Sequence, residues 1–527
     1  MAGTAGAVAG EEGDWKKDQG FVRPTVLVLL PFRSLAFAFV EALLAVLGPR
    51  AVVTNWQRFQ EEYGPEAEAT EGGGDRGGGG GSGSGEDGDG EGSRARAVKV
   101  TRRRRARAVL AQKPEDWKAL FAGGRNGDDE FKLGIALAPG GCKARGKGGY
   151  GAGNGGDGRG NGKGVGVRLY SEFYASDIVV ASPLGLHLAM GEKTSPDHDT
   201  DFLSSIEVCV MDRADLFLQQ NWLHLAGAAA ALNGRPRRAA GIDFSRIRDT
   251  FVHGQAALFR QTVLLSAFAD AAPNALFARY ARSLGGGLRA TPIAAPLQVD
   301  GSFGGFGGSG GGYGGVGMAS VAVRVRQVFQ RVPCATVAAQ ADARFAYFEA
   351  HVLSRLLPGG RTAVVGGTSG GGDGGRRQPH TVLFVPSYFD FVRLRNQLTA
   401  AEASACYVSE YTKPADVTRA RARLFRGERD LLVYTGRAHF FHRHRLRGVR
   451  HLVLYGLPDY PHFYGELINM LDGGGGGGDG GGSGRDGGGI SCLALFTRFD
   501  RLALARIVGE DRARHMLASP TATFLFR

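Results

Sequence analysis

Cysteine is scarce in this chain, which contains 5 cysteines among 527 residues. No C-x-x-C pair occurs, and Cys209 and Cys492 lie inside apolar runs that favour β-strands. Structural zinc sites and disulfide frameworks both need cysteines at paired or clustered spacing. The sequence therefore predicts free thiols in a reducing compartment.

Long apolar runs are also missing. The first twenty residues contain no apolar segment typical of a secretory signal, and the longest apolar stretch, Thr25–Gly48, is interrupted by Pro31 and Glu41. A membrane-spanning helix needs about 20 consecutive apolar residues. We therefore expect a soluble intracellular protein with no membrane partner.

Glycine, in contrast, is abundant, with 86 residues concentrated in blocks. Because glycine loses the most backbone entropy on folding and has no side chain to bury, such blocks predict flexible insertions. The predicted segments are a disordered N-terminus (1–20), a first domain (21–300) with insertions at 70–93 and 139–166, a linker (301–320), and a second domain (321–527) with insertions at 359–377 and 472–489. Roughly 400 residues remain, which is enough for two domains with sizeable cores.

Positive charge exceeds negative charge, with 64 Lys and Arg against 51 Asp and Glu, and the excess is clustered. Arg94–Arg107 and Arg419–Arg450 are the two basic clusters. Such clusters favour a polyanionic partner such as nucleic acid, although a solvated surface is the other interpretation. The run Arg102, Arg103, Arg104 and Arg105 is equally typical of a nuclear localisation signal and of an RNA-contacting arm.

Short apolar runs recur along the chain, most of them followed by a helical pattern. Continuous rather than alternating hydrophobicity indicates strands that are buried on both faces, and intervening helices indicate parallel α/β sheets. The predicted strands are Val26–Leu30, Ile178–Ala181, Ile206–Met211, Val263–Leu265, Val382–Val385, Leu431–Tyr434, Leu452–Tyr455 and Cys492–Phe496. A strand–proline–helix unit occurs at both Thr25–Leu47 and Thr381–Leu398, which favours two α/β domains of related design.

Ligands of an open parallel sheet bind beyond the carboxyl ends of its strands. The segments at these strand ends resemble motifs of the DEAD-box family of superfamily 2 RNA helicases. Leu29–Ala36, Ser176–Leu186, Asp212–Asp215 and Ser266–Phe268 stand where that family has P-T-R-E-L-A, A-D-I-V-V-A-T-P-G-R-L, D-E-A-D and S-A-T.

A closer and longer resemblance is to the digestive organ expansion factor family, also called the U3 small nucleolar RNA-associated protein 25 family. The matching segments are collinear from about Arg23 to Leu517. They are Lys113–Trp117, Leu169–Asp177, Asp201–Glu207, Gln220–Trp222, Pro386–Arg393, Ser409–Thr412, Tyr455–Pro458 and Tyr460–Tyr464.

The resemblance implies two RecA-like domains of superfamily 2 helicase type. It further implies a factor of the nucleus and nucleolus that acts in the small-subunit processome, in pre-18S rRNA processing and small ribosomal subunit biogenesis. The implied partners are pre-rRNA, the U3 ribonucleoprotein and other processome proteins, with no small-molecule substrate. The family has a longer, acidic N-terminal region, so we expect this chain to be either truncated or a divergent short form.

The residues themselves argue against ATP hydrolysis. Phosphoryl transfer needs a loop of backbone N–H groups with a lysine, together with acids that hold magnesium. No G-x-x-x-x-G-K-[ST] occurs, Arg213 replaces the glutamate of the acidic box, and Glu466–Met470 contains no arginine finger. The sequence predicts a non-catalytic, helicase-like scaffold without a cofactor. Two alternatives stay open: an active RNA-dependent ATPase whose phosphate loop has diverged or is missing, and an adaptor that binds only proteins.

Residues at the strand ends and in the arginine-rich segment are the candidate RNA contacts, because helix N-terminal amides, arginines and aromatic rings suit phosphates and bases. The candidates are Arg33, Ser34, Ser182, Gly185, Tyr388, Arg437, Arg443 and Arg445. The alternative for each is a role in the fold alone. Asp212, Arg213, Ala214 and Asp215 form the degenerate box, in which one aspartate is expected to cap the following helix. His439, His442 and His444 lack companion ligands, so no metal site is predicted.

Overall fold

The computed structural model describes residues 17–65, 111–121, 127–139, 165–238, 243–291, 316–357, 379–471 and 490–526. Most of the predicted glycine-rich insertions, residues 301–315 of the predicted linker and the run Arg102–Arg105 lie outside these residues. Three predicted bounds are corrected. The predicted linker 301–320 overlaps the helix Val316–Ala319. Gln19 pairs with Ile247 in a parallel bridge, although it was expected in a disordered N-terminus. The predicted insertion 139–166 overlaps two strands, which end at Pro139 and begin at Val165.

The chain divides into two compact units. The first unit reaches to Ala267 and includes Ala272–Arg289, and the second comprises Phe268–Ala271 and the chain from Ala290 onward. Each unit contains one seven-stranded sheet.

The sheet of the first unit is mixed but mainly parallel. Its strands are β1 (Val26–Leu29), β2 (Val52–Thr54), β3 (Lys132–Pro139), β4 (Val165–Leu169), β5 (Ile178–Ala181), β6 (Val208–Met211) and β7 (Gln261–Leu264). The spatial order is β2-β4-β3-β5-β1-β6-β7. β1 lies between β5 and β6, with Val26 opposite both Ile178 and Val208. β3 runs antiparallel to β4 and β5.

Alternate residues of β1 enter two different hydrophobic cores, so both faces of this sheet are covered. Leu27 and Leu29 belong to one cluster, and Val28 and Leu30 belong to the other. The α-helices of this unit are α1 (Arg33–Leu47), α2 (Trp56–Tyr63), α3 (Glu115–Phe121), α4 (Pro183–Met190), α5 (Ala214–Phe217), α6 (Trp222–Ala231), α7 (Asp249–Val252), α8 (Ala256–Phe259) and α9 (Ala271–Tyr280). Short 3₁₀ turns cover Phe173–Ala175, Asp201–Leu203 and Phe244–Arg246.

The sheet of the second unit is parallel except at one edge. Its strands are β8 (Arg326–Arg331), β9 (Thr381–Val385), β10 (Ala405–Val408), β11 (Leu431–Thr435), β12 (His451–Leu454), β13 (Ser491–Phe496) and β14 (Thr523–Phe526). The order is β10-β11-β9-β12-β13-β8-β14. Among the described strands of this unit, β8 and β14 pair antiparallel and all other neighbours pair parallel.

Helices again cover both faces, because Val382 and Phe384 of β9 enter one core while Leu383 and Val385 enter another. The α-helices are α10 (Val316–Ala319), α11 (Gln340–Phe348), α12 (Ser354–Leu356), α13 (Tyr388–Ala400), α14 (Pro414–Phe425), α15 (Gly436–His442), α16 (Pro461–Ile468), α17 (Arg501–Val508) and α18 (Glu510–Ala518), and a π-helical turn covers Glu349–Leu353. The predicted α/β class with two parallel-dominated sheets is confirmed.

All eight predicted strands are present, each within about two residues of its predicted bounds. Within the described ranges, no helix has the length and apolar character needed to cross a membrane.

Candidate functional site

The degenerate box forms a closed ion pair at the carboxyl end of β6. Arg213 has a left-handed backbone (φ 58°), and its Nη2 lies 3.0 Å from Oδ2 of Asp215 while its Nε lies 3.2 Å from Oδ1. The Asp215 side chain is completely buried and also accepts a hydrogen bond from the backbone N–H of Ala267, at 3.0 Å. The box is therefore tied to the segment that follows β7.

Neither aspartate of the box caps α5, so that expectation is wrong. The residue that precedes this helix is Arg213, which makes no capping side-chain hydrogen bond. Oδ1 of Asp212 instead accepts the N–H of Arg213 at 2.8 Å. Asp212 is thus engaged within the box, and Asp215 binds both Arg213 and the backbone N–H of Ala267.

These contacts do not fit a magnesium–nucleotide site. The guanidinium of Arg213 already neutralises Asp215, and a divalent cation beside it would meet a charge of the same sign. Displacing the guanidinium would break its ion pair with Asp215. The box is better suited to holding the ends of β6 and β7 together than to holding a metal.

Arg33 and Ser34 begin α1, directly after β1 and a short turn. Arg33 donates from its backbone N–H to the carbonyl of Asp128 (3.1 Å) and from Nη2 to the carbonyl of Glu130 (2.7 Å), and it pairs with the Asp128 carboxylate at 3.1 Å. The Oγ of Ser34 is buried and has no hydrogen-bond partner within the described ranges. A phosphate at this helix end would compete with the Asp128 carboxylate for the guanidinium of Arg33.

Ser182 and Gly185 have structural roles, which corrects their prediction as RNA contacts. Ser182 is fully buried, and its Oγ accepts the N–H of Gly185 at 2.8 Å, which caps α4. A Cβ on Gly185 would lie 1.9 Å from the carbonyl oxygen of Phe131. Both residues serve the close approach of α4 to the chain just before β3, and neither reaches a surface where RNA could bind.

Three neighbouring strands of the second unit place their carboxyl ends together, since β10, β11 and β9 are adjacent in the sheet. Thr435 ends β11 and caps α15, whose first turn begins with Gly436 and Arg437. Thr435 accepts the N–H of Ala438 (3.1 Å) and donates to Oε2 of Glu410 (3.0 Å). Nε of Arg437 lies 3.4 Å from Oε1 of the same carboxylate.

Aromatic side chains surround this edge of the sheet. Tyr388 begins α13 and is half-buried, and its ring meets the ring of Tyr411 edge-on, with the ring centroids 5.3 Å apart. Phe389 and Tyr411 are 86% and 67% exposed. Sequence reasoning missed these two residues. Both lie inside segments that carried the family resemblance, but only Tyr388 was selected because it directly follows the strand end.

Arg443 is buried, which corrects its prediction as an RNA contact. Its guanidinium packs 4.0 Å from the ring centroid of Phe463, and its Nε lies 3.3 Å from the Glu466 carboxylate. The same carboxylate lies 3.0 Å from Nε2 of His439, whose Nδ1 faces the hydroxyl of Tyr434 at 3.3 Å. This network stabilises α15 against α16.

The electrostatics of this network favour a neutral His439 and an ionised Glu466. Burial lowers the pKa of His439, although the neighbouring Glu466 opposes that shift. Burial raises the pKa of Glu466, but the hydrogen bond from His439 and the charge of Arg443 outweigh it and leave that pKa below its ordinary value. His439 serves in a buried polar network, and His442 and His444 stack on one another with centroids 5.2 Å apart.

Arg445 is exposed, as are Arg447 and Arg450, but these arginines do not continue the edge that holds Tyr388. The segment runs back from the end of α15 to the amino end of β12, where the N–H of Arg450 donates to the carbonyl of His380, just before β9. Its neighbour is α14, because Arg421 donates to the carbonyl of Arg445 at 2.6 Å. The exposed arginines and the residues around Tyr388 therefore lie at opposite ends of the strands of this sheet.

Comparison with known proteins matches almost the whole chain. Residues 317–526 match the family described as "Utp25, C-terminal domain", and residues 5–144 and 163–288 match "UTP25, NTP hydrolase-like domain". The chain is 34% identical to Protein NUCLEOLAR FACTOR 1 of Arabidopsis thaliana over 97% of its own length and 55% of that protein. It is 32% identical to the human U3 small nucleolar RNA-associated protein 25 homolog, covering 98% of this chain and 54% of the relative.

The chain thus spans about half the length of these curated relatives. Among solved structures, a hypothetical ATP-dependent RNA helicase from Sulfolobus tokodaii aligns with 65% of this chain and 68% of its own, at 14% identity and a TM-score of 0.22. The two family matches together cover well over half of the residues. The chain belongs to the Utp25 family.

Proposed function

We propose that this chain acts in ribosome biogenesis as a helicase-like scaffold that binds RNA and does not consume ATP. The relatives named U3 small nucleolar RNA-associated protein 25 support a role with the U3 ribonucleoprotein in the nucleolus. We further propose that its RNA is pre-ribosomal, that its partners include other proteins of the small-subunit processome, and that it is needed for pre-18S rRNA processing.

The closed ion pair between Arg213 and Asp215 is the observation that supports the proposed absence of ATP hydrolysis. In a working site of this fold, the acids of the box must be available to a magnesium ion and a water molecule. Here Asp215 is buried against a guanidinium and a backbone N–H. The conclusion agrees with the sequence, in which no phosphate-loop signature occurs.

RNA binding is supported by the exposed arginines Arg445, Arg447 and Arg450 and by the exposed aromatic residues at the carboxyl edge of the second sheet. Arginines neutralise phosphates, and aromatic rings accept unpaired bases. The second unit thus offers RNA two kinds of contact, arginines before the amino end of β12 and aromatic rings beyond the carboxyl ends of β9 and β10.

The deciding experiment measures ATP turnover by the purified 527-residue chain with and without structured and single-stranded RNA, beside an Asp212→Ala variant. We expect RNA binding in both proteins and no turnover that distinguishes them. RNA-stimulated turnover that Asp212→Ala abolishes would establish the ATPase alternative. Absence of any RNA binding would favour the protein-binding adaptor.

A further inference from the structure

Phe389 and Tyr411 project into solvent at the carboxyl edge of the second sheet, with 86% and 67% of their surfaces exposed. Neither belongs to the two hydrophobic cores of this unit, whereas their neighbour Tyr388 packs against one of them. Large aromatic side chains in water forfeit the free energy that burial would give them. Their exposure, side by side with a packed aromatic residue, is typical of a surface that a ligand covers.

Hydrogen bonds order the backbone at both residues. Tyr411 lies in a turn that is closed by three contacts between Ser409 and Thr412, including the hydrogen bond from the Ser409 N–H to the Thr412 hydroxyl at 2.9 Å. Phe389 lies in the first turn of α13, whose N-terminus is capped by the Ser387 hydroxyl. A segment whose backbone is already ordered loses less entropy when a ligand binds to it.

The carboxylate of Glu410 points away from this surface. Its side chain is only 6% exposed and faces inward, where it accepts from Thr435 and pairs with Arg437. The turn therefore presents Tyr411 outward while its carboxylate is withdrawn, and the exposed Lys413 follows two residues later. An aromatic surface beside a cation, with the Glu410 carboxylate turned away, is complementary to a polyanion that carries flat apolar rings.

We propose that Phe389 and Tyr411 form a platform on which unpaired nucleotides of RNA stack, independently of base identity. The inference rests on the proposed RNA-binding function and adds that this edge takes single strands rather than duplexes. Every base has a π-face that can stack on an aromatic side chain, whereas the bases of a duplex are already stacked on one another. Lys413 neutralises a phosphate of the same strand.

The test compares Phe389→Leu, Tyr411→Leu and the double variant of the full chain with Phe259→Leu, which alters an exposed aromatic residue of the other unit. The probes are an oligouridine of about twelve nucleotides and an RNA duplex of equal length. Each platform variant is expected to weaken oligouridine binding about five-fold or more. Duplex binding and the salt dependence of oligouridine binding should be unchanged, because no cation is removed.

A Phe389→Trp variant gives a direct readout, since stacking of uridine on the indole quenches its fluorescence. Unchanged oligouridine affinity in the leucine variants, with no added quenching in Phe389→Trp, would overturn the platform while leaving salt-dependent RNA binding intact. No RNA binding by the unmodified chain would overturn both the platform and the proposed function. Loss of binding to another protein in the leucine variants, with RNA binding unchanged, would assign this edge to protein contact instead.

Discussion

Nε2 of His439 lies 3.0 Å from Oε2 of Glu466 in the interior of the second unit. Because Nε2 faces a carboxylate, it carries the ring proton, and Nδ1 accepts from the hydroxyl of Tyr434. The interaction joins α15 to α16.

The first prediction is that acidification destabilises the second unit through this pair. The pKa of His439 is lowered by burial, so the unfolded state binds a proton more readily and stability falls as the pH drops below the ordinary pKa of 6.5. The lowered pKa of Glu466 has the same sign, because stability present above its ordinary pKa of 4.5 is lost at lower pH. The melting temperature should therefore fall between about pH 8 and about pH 4.

A variant isolates the histidine contribution. In His439→Gln, the decline in melting temperature between about pH 7.5 and about pH 5.5 should be flatter than in the unmodified chain, although the variant is less stable throughout. His253→Gln, at an exposed position, should leave the profile unchanged. Identical profiles for His439→Gln and the unmodified chain would assign the pH dependence to other groups.

The second prediction concerns the coupling between Arg213 and Asp215. Removing either partner breaks this ion pair, so Arg213→Ala and Asp215→Asn should each lower the free energy of unfolding by about 1–3 kcal/mol. The estimate is modest because Arg213 remains 32% exposed. The double variant should cost clearly less than the sum of the single variants, since the interaction can be lost only once.

Chemical unfolding of the four proteins measures this cycle. Strictly additive losses would mean that the ion pair is not a unit of stability, and the structural interpretation of the box would then fail. The same proteins serve in the ATP-turnover assay, where none should gain activity.

The strands could be predicted from the sequence because each buried strand is a continuous apolar run, such as Ile178–Ala181 and Leu431–Thr435. Six strands were not predicted. β3 and β4 border a glycine block and are not continuous apolar runs, since Gly134 interrupts β3 and Gly166 and Arg168 interrupt β4. An antiparallel strand between parallel neighbours has no local signal, because its direction is set by tertiary pairing.

The site was harder to predict because exposure depends on distant partners. Arg443 and Arg445 are two residues apart in one basic segment, yet one is buried and the other is exposed. The difference comes from Glu466 and Phe463, which belong to the next helix along the chain. Similarly, Ser182 follows a strand end as a phosphate-binding serine would, but its hydroxyl is used by Gly185. Strand-end motifs identify the edge of the sheet, whereas the packing decides which side chains a ligand can reach.

The third prediction concerns the exposed arginines that precede the amino end of β12. Changing Arg445, Arg447 and Arg450 together to Ala should weaken RNA binding and reduce the slope of log affinity against log salt by up to about 2, because fewer counterions are released. The control variant changes Arg501, Arg512 and Arg514 to Ala. It removes the same amount of positive charge, from α17 and α18. Equal effects of the two triple variants would indicate that only net charge matters, and no effect of either would remove this surface from the RNA interface.

The fourth prediction contrasts two glycines that both lie in helices of the first unit. At Gly185, a Cβ would lie 1.9 Å from the carbonyl oxygen of Phe131, so Gly185→Ala must displace backbone and should lower the free energy of unfolding by about 1–3 kcal/mol. At Gly227 of α6, a Cβ would meet no atom within 4 Å. Gly227→Ala should therefore raise stability by about 0.5–1 kcal/mol, because alanine favours the helix. Denaturant unfolding of both variants measures the difference, and a neutral Gly185→Ala would contradict the structural role assigned to the Ser182–Gly185 turn.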